Sequence, residues 1–113
     1  MRIIDSPITL KGLSLMAEAG FGNLVKAVVD VEREIMAVDA ELHADEEALL
    51  LEDGSLQADL WGINIYPDLE ADERIEFDSM INIRPSQGNR SRGVDDHAIR
   101  DRIIRVVEYL VVP

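Results

Sequence analysis

Arg84-Pro85-Ser86-Gln87-Gly88-Asn89-Arg90-Ser91-Arg92-Gly93 gathers three guanidinium groups, two side-chain amides and two glycines in one short stretch. Fork-shaped donors beside flexible backbone N–H groups are the chemistry that holds a phosphate or a carboxylate. In such a site Arg84 and Arg90 pair the anion, with Arg92 close by. Ser86, Gln87 and Asn89 orient it, and N–H groups around Gly88 complete the cradle. No Walker or dinucleotide fingerprint accompanies the loop, and Asp95 and Asp96 already occupy the helix start that an anion would seek. The same arginines could instead pair with the chain's own carboxylates. Both readings stay open on the sequence.

Other residues invite narrower chemistry. His43 and Asp45, with Glu46 or Asp30, could form a hard-metal site. His43-Ala44-Asp45-Glu46 lacks the cysteine partners that a zinc deaminase would need, because the chain has no Cys. His43 with Ser55 or Ser86 has no Gly-x-Ser-x-Gly elbow around it. Glu32 and Glu34 fall in a turn and read as a solvated pair. Trp61 stands in strand phase with Ile63 and Ile65 and reads as core. No cofactor is expected.

Composition narrows the partners. The 113 residues are 47% hydrophobic and 30% charged, which fits one compact domain spanning 1–113. Residues 79–113 carry six Arg against four Asp/Glu, whereas residues 1–78 carry five Lys/Arg against nineteen Asp/Glu, and the net charge is −12. An acidic surface repels phosphate backbones and anionic bilayers, so neither nucleic acid nor membrane is an expected partner. The lack of Cys and of any long apolar run suits a cytoplasmic location.

These residues need elements to position them. A short strand at 2–4 leads to a helix capped by Thr9 and stopped by Gly20. Leu24 to Leu42 fits a helix through Leu24, Val28, Val31, Ile35 and Val38, and fits strands through its β-branched density. A hairpin of 25–31 and 35–42 is the preferred reading. A helix is expected at 45–53. A second hairpin pairs 61–65 with 75–83, putting Trp61, Ile63, Ile65, Ile75, Phe77, Ile81 and Ile83 on the core face. Its other face carries Asn64, Tyr66, Glu76, Asp78, Asn82 and Arg84, either as part of the anion site or as a wet outer surface. A last helix, capped by Asp95 or Asp96, presents Ile99, Ile103, Val106, Val107 and Leu110. The expected class is α+β, an antiparallel sheet of four to five strands with helices packed mainly on one face.

The leading functional expectation is a small domain that binds an anionic small molecule at Arg84 to Arg92, beside Asn64, Tyr66 and Asn82. One alternative is a non-enzymatic interaction or self-assembly domain, a homo-oligomer in the second case, whose basic C-terminal third docks on an acidic face such as residues 39–53 of another copy or of a partner. A carboxylate-metal enzyme around His43 and Asp45 is the weaker alternative.

Three strings carry a resemblance: Glu41-Leu42-His43-Ala44-Asp45-Glu46-Glu47; Asp53-Gly54-Ser55 with Asp59-Leu60-Trp61-Gly62; and Ile81-Asn82-Ile83-Arg84-Pro85-Ser86-Gln87-Gly88-Asn89-Arg90. Along nearly its whole length the chain resembles a family of small bacterial and archaeal proteins known as a domain of unknown function. The resemblance implies one compact domain of prokaryotic origin, and it brings no activity or site residue.

Overall fold

Asp30 explains why the segment from Leu24 turns back on itself. In the computed structural model, which describes residues 1–113, its buried Oδ1 accepts from the N–H groups of Glu32 and Arg33, both at 2.9 Å. Glu34 takes a left-handed φ of 58° and donates its N–H to Asp30 O at 2.9 Å. This aspartate-built turn joins two antiparallel strands. The elements are β1 (Arg2–Ile4), β2 (Ile8–Thr9), α1 (Leu10–Ala19), β3 (Val25–Asp30), β4 (Ile35–Val38), α2 (His43–Glu52), β5 (Leu60–Ile65), β6 (Ile75–Glu76), α3 (His97–Leu110) and β7 (Val111–Val112). Five strands form one antiparallel sheet in the order β1-β4-β3-β5-β6. β2 and β7 pair separately and in parallel, Ile8 opposite Val111.

Strand alternation sends side chains to two cores. Val25, Ala27, Val29, Met36, Val38, Trp61, Ile63 and Ile65 pack with Leu13 and Ala17 of α1 and with Ile103, Val106, Val107 and Leu110 of α3. On the reverse face, Val28, Ile35, Ala37 and Leu60 pack with Leu50 of α2. The class is α+β as expected, with α1 and α3 on one face and α2 on the other. β3 is therefore covered on both sides, which is why its sequence reads as a continuous apolar run and fits helix and strand alike.

The helix starts follow local chemistry. Thr9 Oγ1 accepts from Gly12 N–H at 3.0 Å and Asp96 Oδ1 accepts from Ala98 N–H at 2.8 Å, so both expected caps form. α2 starts at His43, two residues ahead of the expected start, and Leu42 in front of it offers no side-chain cap.

The second hairpin is shorter than its alternation predicts. β6 ends at Glu76, and Met80–Asn82 form a 3₁₀ turn with Ser79 Oγ accepting from Ile81 N–H at 3.3 Å. Ile81 packs on the α2 side and Ile83 is exposed, so neither joins the expected core face. Asn82 replaces the missing strand: its Oδ1 accepts from Gly62 N–H at 2.8 Å and its Nδ2 donates to Gly62 O at 2.9 Å. The expected wet face is corrected as well, because Asn64, Asn82 and Arg84 are all buried. No helix is long and apolar enough to cross a membrane.

Candidate functional site

The arginine loop is built largely by its own polar groups. Arg84 and Asn89 exchange backbone hydrogen bonds at 2.7 and 3.2 Å around the turn Pro85–Gln87, closed by Gly88 at a left-handed φ of 81°. The Arg84 guanidinium is buried, donates to the carbonyls of Gln57 and Leu60 and to Gln87 Oε1, and stacks 4.3 Å from the centre of the Trp61 ring. Loss of hydration lowers its pKa, with the Glu47 carboxylate acting in opposition. Asn89 Nδ2 donates to the carbonyls of Asn82, Ser91 and Gly93, while its Oδ1 accepts from Asp95 N–H. Arg84, Asn82, Asn89 and Gln87 are thus engaged within the chain, which corrects the expectation that they contact a ligand. Each carbonyl near Arg84 needed a donor, and the arginine supplied it. Tyr66 donates to Glu76 Oε1 at 3.2 Å and its phenol is shifted up, by burial and by that carboxylate. Ser86, Gly88 and Arg90 are exposed.

A second set of polar groups meets elsewhere. A cleft of about 220 Å³ opens where the first turn of α2 passes over the sheet. β3 contributes Lys26, whose ammonium lies 5.0 Å from the centre of the Phe21 ring, and β5 contributes Asn64, its partner in register. His43 and Ala44 come from α2, Asp78 and Ser79 from the segment after β6, and Arg92 from the loop before α3. Arg92 Nε donates to Asp78 Oδ1 at 2.6 Å, and that contact holds its pKa up. α2 begins at this space without a side-chain cap, with Asp45 and Glu46 in its first turn and Asp45 N–H bonded to Leu42 O at 3.2 Å.

Two buried ionisable groups sit on the inner side of α2. His43 Nε2 donates to Ile63 O at 2.8 Å, and burial lowers its pKa so that the neutral ring is favoured. One turn on, Glu46 is fully enclosed, and burial pushes its carboxyl up to about 9. Its Oε2 accepts from Ala40 N–H at 3.1 Å, while Oε1 has no partner.

A family model matches residues 2–110. The chain belongs to the family described as Protein of unknown function (DUF5674). No curated protein and no solved structure matches it. The conclusions for this DUF5674 domain therefore come from its own geometry.

That geometry separates the other expected groupings. Asp45 is exposed while His43 is buried against Ile63, and no three His, Asp or Glu side chains are placed to share a metal ion. Asp30 serves the turn, and its Oδ2 accepts from Ser55 Oγ at 2.6 Å. Glu32 pairs with Arg102 at 3.0 Å. Of the expected ligand residues, Asn64 and Arg92 line the cleft. Lys26 was missed, although a single cation inside the apolar run Val25 to Val31 was a visible signal. Larger hollows of about 370 Å³ at the end of α1 and about 520 Å³ between residues 71–77 and α3 are lined mainly by apolar side chains. Neither brings several buried polar groups together.

Proposed function

We propose that this domain binds a small anionic molecule in the cleft between the start of α2, Lys26 and Arg92. One observation carries the reading: Lys26, Arg92 and a helix start without a side-chain cap line one hollow in a chain of net charge −12, with Asp78 as the one carboxylate among them. Asp78 offsets Arg92, and the positive charge of Lys26 is what a bound anion would meet. The ligand class expected from the arginine loop is kept, and its place shifts from Arg84 to the cleft, with Arg92 and Asn64 retained. Leu42 and Met80, 56% and 64% exposed, stand at the rim and suit contact with the carbon skeleton of an organic anion.

Titration of ¹⁵N-labelled protein with inorganic phosphate tests the position. The amide signals of His43, Ala44, Lys26 and Asn64 are expected to move together and saturate. Shifts confined to residues 84–90, or shifts that persist undiminished in a Lys26→Ala/Arg92→Ala double variant, would overturn it.

A further inference from the structure

We infer that the anion taken by this cleft carries its own hydrogen-bond donor, as a monohydrogen phosphate or a hydroxy acid does, and that His43 imposes the requirement. The inference rests on the cleft reading above.

Both side chains are held by their donor ends. Ile63 O can only accept, so the ring proton of His43 lies on Nε2 and the neutral ring presents a lone pair at Nδ1. Nδ1 has no protein partner and is not among the enclosed orphan atoms, so it opens to the cleft. The amide of Asn64 is oriented in the same way: Nδ2 donates to Glu76 Oε1 at 2.8 Å and to Asp78 O at 3.4 Å. That leaves Oδ1 without a partner, but it is fully enclosed, so Asn64 forms part of the cleft wall and the acceptor open to a ligand is His43 Nδ1.

A ligand in this hollow meets donors from Lys26, Arg92 and the helix start, and an acceptor at His43 Nδ1. Its anionic oxygens satisfy the donors. Against Nδ1, a bare oxygen lone pair is repelled and leaves the acceptor desolvated and unpaired, whereas a P–OH, C–OH or N–H group pairs with it. Sulfate has no proton to offer at neutral pH, while phosphate retains at least one. The charged groups facing the His43 ring are Lys26 on β3 together with Asp78 and Arg92 from the flanking loops, and Glu46 follows one turn along α2. When the ring takes up a proton at lower pH, Nδ1 becomes a donor and the discrimination against sulfate weakens.

Calorimetric titrations with inorganic phosphate and with sulfate, at pH 7 and matched ionic strength, test this. Phosphate is expected to bind at least about tenfold more tightly, the size of one lost hydrogen bond. His43→Gln keeps an amide N–H for Ile63 O and replaces the lone pair at Nδ1 with Oε1 on the carbon that bears the donor, away from the Nδ1 position, so it should lower that ratio to within about threefold. If His43→Gln does not fold, glycolate against acetate in the wild type at pH 7 gives a second reading, and glycolate must bind the more tightly for the requirement to stand. Equal affinities at pH 7, with both weakened in Lys26→Ala/Arg92→Ala, would overturn the donor requirement and leave the cleft standing. Absence of binding by either ion, or binding indifferent to those two alanines, would remove the cleft reading and this inference with it.

Discussion

A carboxyl group enclosed with a single hydrogen-bond donor favours its neutral form, and at Glu46 that preference has a sign. Unfolded, the side chain titrates near its ordinary 4.5, while folded it holds its proton to about 9. Between those values the native state binds more protons than the unfolded state, so stability falls as pH rises, by up to about 1.4 kcal/mol per unit for one such group. Below about pH 4.5 this contribution is complete, and above about 9 it is gone. Glu46→Gln keeps an acceptor for Ala40 N–H and removes the titration. Urea midpoints measured from pH 5 to 8 are expected to decline in the wild type and to be flatter in the variant, which should be the more stable at pH 8. A parallel decline in both would locate the dependence elsewhere. Arg84 shows the other use of a buried ionisable group. Its donors bind backbone carbonyls, and its flat face lies on Trp61, a role that a loop rich in arginine does not announce.

At the level of elements, the close fit of β5 beneath the segment after β6 has a measurable cost. A Cβ added at Gly62 would lie 2.5 Å from Ser79 Cβ. Gly62→Ala is expected to destabilise the domain by about 1–3 kcal/mol, as overpacked sites do, and Ser79→Gly in the same chain should recover part of the loss. Thermal unfolding of the two variants checks both statements. The same region marks the boundary of what could be read from the sequence. Caps at Thr9 and Asp96 and the hairpin of β3 and β4 were legible, because each depends on residues a few positions apart. Ile81 and Ile83 alternate like a strand, yet the long-range bonds of Asn82 to Gly62 override that pattern, and no local rule signals them. Of the residues singled out beside the arginine loop, Asn64 and Arg92 line the candidate cleft. Which arginines find partners depends on carbonyls at Gln57 and Leu60, distant in sequence from Arg84.

Across the whole molecule, the uneven charge of the sequence is largely stitched together by folding. Of the six arginines in the last third, Arg84 is buried on carbonyls, Arg92 meets Asp78, Arg100 donates to Val94 O over the Phe77 ring, and Arg102 meets Glu32. Little of that surplus is left as a basic face, which removes much of the charge that docking on residues 39–53 of another copy would use. Asn82 matters here beyond the single molecule. Past the two residues of β6, the outer margin of β5 would offer Gly62 N–H and C=O to any extended chain that came near. A side-chain amide, unlike a strand, fills that position without presenting a new margin of its own. Asn82→Ala is therefore expected to raise strand-to-strand aggregation above the wild-type level, visible as thioflavin fluorescence and light scattering on prolonged incubation near neutral pH. The two bonds that shape the cleft's neighbourhood thus also act as a barrier against fibril growth.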